Sequence, residues 1–143
     1  MVKIIEISAD KTYAIRKEIL RENRDLPVSF EGDFHTDTFH LGVFRNEKLE
    51  GIATCIKQEN KVFTGAQFQL RGMAVLPEVR GLGFGKNLIS VAIKRLKAKG
   101  IHVLWCNARI IALPFYEKLG FEVVGEPFEI DTIGTHYLLV KAL

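Results

Sequence analysis

Residues 80–87, RGLGFGKN, place three glycines at alternate positions between two cations. That arrangement suits phosphate chemistry. Glycine lets backbone N–H groups approach an anion with no Cβ in the way. A helix that starts at such a turn adds its own partial positive charge, and Arg80 and Lys86 supply full charges at the two ends. Three phosphate loops compete. A magnesium-nucleotide P-loop, G-x-x-x-x-G-K-[ST], needs glycine at Arg80 and a hydroxyl at Asn87. A dinucleotide fingerprint, G-x-G-x-x-G, needs its third glycine at Lys86 or at Leu88. Both patterns fail, which leaves a metal-free cradle for a pyrophosphate. The plainer alternative is a tight turn whose glycines serve conformation alone. The flanking cations, the strand pattern before the loop and the helix pattern after it weigh against that.

Other reactive residues are sparse. Cys55 and Cys106 are the two cysteines, and without a CxxC or HxxxH pairing they read as reduced, buried thiols rather than a disulfide or a zinc site. No metal is expected. His35 and His40 read as ordinary polar residues. Lys94, Arg95, Lys97 and Lys99 look like a basic run, but they fall on one helix, and the net charge is only +3. A solvated face with favourable cations near a helix C-terminus accounts for them, and no aromatic RNA-binding motif or helix-turn-helix pattern argues for nucleic acid. No apolar run approaches the roughly 20 residues of a membrane span, and the first ten residues lack the apolar stretch of a secretory signal. The expectation is a cytoplasmic protein with neither nucleic acid nor membrane as partner. A length of 143 residues suits one domain over 1–143.

The loop needs elements to hold it. Residues 66–79 read as a long strand, with Gln67, Gln69 and Arg71 on one face and Phe68 and Leu70 on the other. After the loop, Leu88, Ala92 and Leu96 recur at four-residue spacing beside Ile89 and Ile93, which predicts a helix closed by Gly100. Residues 101–108 are apolar almost throughout, as a central parallel strand should be. Together these segments form a βαβ unit. Residues 3–7 predict a first strand. The helix after it, capped by Ser8 or Asp10, carries Ile15, Ile19 and Leu20 on its apolar face, with Arg16, Lys17 and Glu18 pointing elsewhere. Residues 26–36 form a loop that Phe30 and Phe34 either tack to the core or line as a pocket wall. Two strands follow, joined by a turn at 45–48, and together with the strand at 66–79 they favour an antiparallel meander. A short helix with Pro114 in its first turn ends at Gly120, and two last strands close the chain. The fold class is α/β (α+β): one domain with a mixed, mostly antiparallel sheet flanked by helices.

Here a family resemblance becomes visible. Arg80-Gly81-Leu82-Gly83-Phe84-Gly85 resembles the [Q/R]-x-x-G-x-[G/A] signature of the GNAT acyltransferase superfamily, and residues 107–126, NARIIALPFYEKLGFEVVGE, are similar to that family's second motif. The resemblance is strong over about 66–127 and looser over the whole element order. It implies acetyl transfer from acetyl-CoA, without metal, to an amine of a small molecule or peptide, in a cleft where two central strands splay apart. It implies that the backbone of Met73, Ala74 and Val75 pairs with the pantetheine arm. The loop residues Arg80, Gly81, Leu82, Gly83, Phe84, Gly85 and Lys86 hold the pyrophosphate. Asn107 hydrogen-bonds the pantetheine, and Phe115 lines the cofactor side.

Tyr116 matches the family position that often protonates the departing thiolate, and a phenol is well matched in basicity to a thiol. The base is open. No carboxylate stands on the central strand, where Gln67, Gln69 and Arg71 sit instead. Glu129, Asp131 and His136 are expected near the acceptor end; His136 is the candidate base by residue type, and a water chain would also serve. Cys106 as nucleophile is a weaker alternative. The missing base also leaves room for a non-catalytic acyl-CoA binding or sensing module. Similar proteins often form homodimers, though no stripe in this sequence demands one.

Overall fold

Asn46 and Glu47 both adopt positive φ, +50° and +69°. This two-residue turn matches the twist of the strands it joins, and it folds β2 (Phe39–Arg45) back onto β3 (Lys48–Ile56) with Arg45 opposite Lys48. The computed structural model describes residues 1–131 and 133–143. Its other strands are β1 (Val2–Ile7), β4 (Gln67–Val75), β5 (Val103–Arg109), β6 (Glu122–Ile130) and β7 (Gly134–Ala142). They form one seven-stranded sheet in the order β1-β2-β3-β4-β5-β7-β6. Every neighbouring pair is antiparallel except β4–β5, which is parallel. The meander, the βαβ unit and the two closing strands thus stand where the sequence places them. β4 is shorter than expected, because Pro77 opens a 3-10 turn that takes up residues 77–79.

The helix after the cradle, α2 (Phe84–Ala98), buries Leu88, Ile89, Ala92 and Leu96. Gly100 ends it at φ +78°. The N–H of Ile101 donates to the carbonyl of Leu96, and that of Gly100 to Lys97, both at 3.0 Å. This pairing satisfies two otherwise orphaned carbonyls. The short α3 (Leu113–Lys118) ends the same way, with Phe121 N–H donating to Tyr116 and Gly120 N–H to Glu117. Among the described residues no helix is long and apolar enough to cross a membrane.

The first helical segment departs from its sequence pattern. It begins as a 3-10 turn (Ala9–Thr12), passes through one turn of α1 (Tyr13–Ile15) and widens into a π turn (Arg16–Leu20), in which Arg21 N–H donates to Arg16 O at 3.0 Å. Ser8 stands at the N-cap without a side-chain cap bond. Arg16, expected on the polar face, is fully buried. Its guanidinium pairs with Asp33 and points at the sheet. Phe30 is buried, which fits the core-tacking alternative, but Phe34 is 77% exposed and tacks nothing down.

The sheet has two differently dressed faces. Arg95 and Lys99 of α2 lie over the Phe39 ring, and Phe39 pairs with Cys55 of β3, so α2 covers that face. Thr54 points the other way and accepts a hydrogen bond from Arg16. Arg71 lies opposite Thr54 and therefore shares the Arg16 face. A bulge interrupts β4 at this point. Ile52 and Thr54, two residues apart on β3, pair with Ala74 and Arg71, three apart on β4. Gly72 supplies the extra residue at φ +60°. Bulges bend the strand that carries them, and β4 pairs with β5 only through Gln67, Phe68 and Gln69. Beyond them the two strands part.

Gly72 has no room for a side chain: a Cβ there would lie 2.9 Å from Phe30 Cε2. Gly72→Ala adds this collision to the roughly 1–2 kcal/mol cost of a left-handed conformation for an L-residue. The variant is expected to unfold at least that much more easily in urea. A change below about 0.5 kcal/mol, within the range of ordinary surface substitutions, would mean that the bulge relaxes freely.

Candidate active site

The parting of β4 and β5 opens a slot through the middle of the sheet. Met73, Ala74 and Val75 of β4 lie past the last β5 pair, and so do Asn107, Ala108 and Arg109 of β5. The backbone edges that face each other across the slot have no ladder partner there, and such groups are ready to bind an extended ligand. Asn107 is exposed on this stretch, with its side chain on the same face as Arg71.

At the α2 face of the slot lies the glycine loop. Gly81 and Gly83 have φ of +85° and +83°, and nothing lies within 4 Å of where their Cβ atoms would be. The α2 ladder begins with Asn87 N–H donating to Gly83 O at 3.0 Å. The N–H groups of Phe84, Gly85 and Lys86 lie ahead of it and have no intrahelical acceptor. Arg80 and Lys86 are exposed beside them, as is Leu82, while Phe84 is buried. Gly85 is packed rather than open. A Cβ there would come within 3.0 Å of Phe115 Cζ and 2.9 Å of Met73 Cε. The start of α2, the β4 edge and α3 therefore meet at one place. Tyr116 sits behind Phe115, its ring edge-on at 5.1 Å, with Phe121 at 5.3 Å on another side. Burial, reinforced by the nearby Cys106 thiol, raises the Tyr116 hydroxyl well above its ordinary value, so it holds its proton throughout the neutral range.

The opposite face is built around guanidinium groups. Arg16 donates to both oxygens of Asp33 (2.7 and 3.1 Å), to Thr54 Oγ1 (2.9 Å) and to the carbonyl of Val28 (2.9 Å). Phe30 N–H donates to Asp33 as well, at 2.8 Å. The imidazole of His40 bridges Thr54 Oγ1 and the carbonyl of Asp33. His40 is thus a buried part of a network, not the ordinary polar residue its sequence context suggests. Burial alone would push the Asp33 carboxyl up. The Arg16 hydrogen bonds, the Phe30 N–H and the neighbouring positive charge bring it below its usual range. The Phe30 ring lies 3.8 Å from the Arg16 guanidinium, 4.2 Å from that of Arg71 and 5.8 Å from that of Arg21. Arg109, at the far end of β5, donates to the carbonyl of Leu20.

His136 of β7 pairs with Arg109 across the strands and lies on the same face. Its Nδ1 is 2.8 Å from the carbonyl of Gly134. A carbonyl only accepts, so Nδ1 carries the proton, and in the neutral ring Nε2 is the free base. Phe128 lies beside the ring at 6.1 Å. Glu129 accepts a hydrogen bond from Thr135 and is exposed, as is Asp131. Gln67 is committed to the 60–65 connection through Asn60, Phe63 and Gly65. Cys106 is buried on the α2 side, its thiol pushed up by burial to about 12. Among the described residues no group of three or more His, Cys, Asp or Glu side chains could hold a metal ion.

Residues 4–121 match the model of the family described as the acetyltransferase (GNAT) family. The chain is 38% identical over 145 residues to the uncharacterized N-acetyltransferase YitI of Bacillus subtilis, covering 100% of this chain and 97% of that protein. Among solved structures, Escherichia coli ElaA superposes with a TM-score of 0.81 over 99% of both chains, at 17% identity. An aminoglycoside 6'-N-acetyltransferase complexed with coenzyme A superposes with a TM-score of 0.78 over 98% of this chain and 96% of that one, at 15% identity.

Two outcomes follow from the burial of these groups. Burial holds both thiols at about 12, so at pH 8 neither Cys55 nor Cys106 should react with a thiol reagent until the protein unfolds. Rapid labelling of folded protein would contradict that burial. Asp33→Asn leaves the Arg16 charge buried without its counter-ion and should cost about 3–5 kcal/mol of unfolding free energy at neutral pH. Because the folded-state value of Asp33 is depressed, its contribution is complete above the ordinary carboxylate value of about 3.9 and fades as pH falls through the lower folded value. The difference between the native protein and the variant should therefore shrink below about pH 4 in urea titrations.

Proposed function

The chain belongs to the GNAT acetyltransferase family, and on that premise we propose that it moves an acetyl group from acetyl-CoA directly onto an amine of a small molecule or peptide. The observation that carries this reading is the open slot between β4 and β5 beside a cradle of free N–H groups. Main-chain donors at Gly81, Gly83, Phe84, Gly85 and Lys86 hold the pyrophosphate, with Arg80 and Lys86 adding charge, while the Leu82 N–H is turned back to the Val79 carbonyl. The edge of Met73, Ala74 and Val75 pairs with the pantetheine arm as a further strand would. Asn107 hydrogen-bonds the arm from β5, and Phe115 packs against it. The open space at the positions of the Gly81 and Gly83 Cβ atoms supports this fit.

In this reading the acceptor approaches from the Arg16 face. Its nitrogen attacks the thioester carbon and the carbon–sulfur bond breaks. Tyr116 gives the leaving thiolate a proton; burial keeps that proton in place through the neutral range but also lifts the hydroxyl above the basicity of a thiol, so the transfer needs the developing thiolate close to it. His136 takes the proton lost by the amine through Nε2, the nitrogen left free by the Gly134 contact. Acid and base thus come from opposite sides of the sheet. The cytoplasm, where CoA esters are made and used, is the setting this reading assigns.

The test is release of free thiol from acetyl-CoA across a broad amine panel, with melting temperature followed as CoA is added. Amine-dependent release and a CoA-dependent rise in melting temperature are expected. Absence of both would overturn the reading. Tyr116→Phe should lower turnover about a hundredfold, at the low end of what general acids contribute, with little change in CoA affinity. A matching loss of CoA binding would remove the acid role.

A further inference from the structure

Arg71 is half-buried, yet no carboxylate or hydrogen-bond acceptor among the described residues meets its guanidinium. Its donors are therefore left to water and open to the acceptors of a ligand. Its neighbours add to the imbalance. Arg21 donates only to the carbonyl of Pro27, and Arg109 only to that of Leu20. Among the described residues neither has a carboxylate within ion-pair distance. The one acid in their midst, Asp33, has both oxygens taken by Arg16. Burial, then the charges of Arg16 and Arg21, depresses Arg71 below its ordinary value, and the Asp33 charge offsets only part of this.

The placement is specific. Arg71 sits on the bulged stretch of β4 and Arg109 at the end of β5, on the same face of two strands that have parted. Arg21 reaches the same Phe30 ring from the first helical segment. The cradle for the donor's phosphates lies at the other end of the slot, on the α2 face, so these cations are not needed there. Arg71 is stacked on Phe30 at 4.2 Å. The ring contact holds the guanidinium at this place on the face, and its fork of N–H donors matches the two oxygens of a carboxylate.

We propose that Arg71, supported by Arg21 and Arg109, binds a carboxylate on the acceptor, so that the amines acetylated here are amino-acid-like and carry an acid group close to the reacting nitrogen. The proposal rests on the acyl-transfer reading and names the substrate class of that same site. Arg71 is its specificity-determining residue. The bound acid would neutralise the cluster while Phe30 shields the ion pair from water, which strengthens it relative to an exposed pair.

The experiment uses the full chain with acetyl-CoA and amines in matched pairs, each as free acid and as carboxamide, plus one phosphate-bearing amine with its alcohol. Free acids should exceed their amides at least about tenfold in kcat/KM, the ratio that one charged hydrogen bond supplies. Arg71→Gln should collapse that ratio and leave the KM for acetyl-CoA within about twofold. A second measurement needs no turnover: N-acetyl amino acids, as products, should raise the melting temperature of the CoA complex as acids but not as amides, and Arg71→Gln should abolish the rise. Equal use or binding of acids and amides overturns the proposal, as does a preference retained in Arg71→Gln or confined to the phosphate-bearing amine. Failure of the acyl-transfer reading looks different: CoA then raises no melting temperature and no amine releases thiol.

Discussion

The fold turns on one extra residue in β4. Between Arg71 and Ala74 the strand carries a residue more than its partner β3, and Gly72 absorbs it in a left-handed conformation. A regular β4 would stay in register with β5 and the sheet would be continuous across its middle. The bulge bends β4 away, so the parallel pair ends at Gln69 and Trp105. An unpaired backbone edge inside a domain is normally a defect. Here it is held open from both sides. The start of α2 and Phe115 crowd Met73 on one face, and Phe30 with Arg16 fills the space against Gly72 on the other.

Because the slot passes between two strands, the two faces of the sheet take on separate work. The α2 face offers backbone donors, glycine clearance and the phenol of Tyr116, to which the proposed reading assigns the features any acyl-CoA shares. The other face offers side chains set by this particular sequence: Arg71, Arg109, Arg21 and His136. Overall charge conveys none of this. A formal net charge of +3 spread over 143 residues is modest, yet four arginines, one of them neutralised, gather between Phe30 and the end of β5. The local field there is set by which carboxylates are already committed rather than by the sum.

The sequence makes some of this legible and hides the rest for physical reasons. The four-residue spacing of Leu88, Ala92 and Leu96 and the stop at Gly100 are local, and α2 forms as they predict. The turn at 45–48 and the apolar run of β5 are local in the same way. The cradle is legible because its chemistry needs glycines and cations next to one another in the chain. Arg16 is not. Its partners lie 17 residues away at Asp33 and 38 away at Thr54, and without them helical periodicity assigns it to solvent. Phe30 and Phe34 are alike as text, but only Phe30 meets the vacancy that Gly72 leaves. The His40 contacts, and the bulge itself, depend on pairing between strands that no single segment encodes. Arg71 is visible on its face of β4, but its lack of a counter-ion becomes apparent only once Asp33 is seen to belong to Arg16.

That last relation explains why a buried ion pair sits in this domain at all. A pair such as Arg16–Asp33 loses so much hydration that well-packed apolar residues often serve stability equally well. What apolar residues would not do is bind the carbonyl of Val28, the N–H of Phe30 and the hydroxyl of Thr54 at once, as this pair does. The pair fixes the 21–38 connection in one position over the slot, and with it the Phe30 ring on which Arg71 rests. It also occupies both Asp33 oxygens, so that the carboxylate makes no direct pair with Arg71. A neutral substitute at both positions would give up the first property. An acid at 33 without Arg16 would quench the Arg71 charge and give up the second. The ion pair is therefore best understood through the geometry it imposes and the neighbouring charge it leaves free, with stability a lesser part of its role.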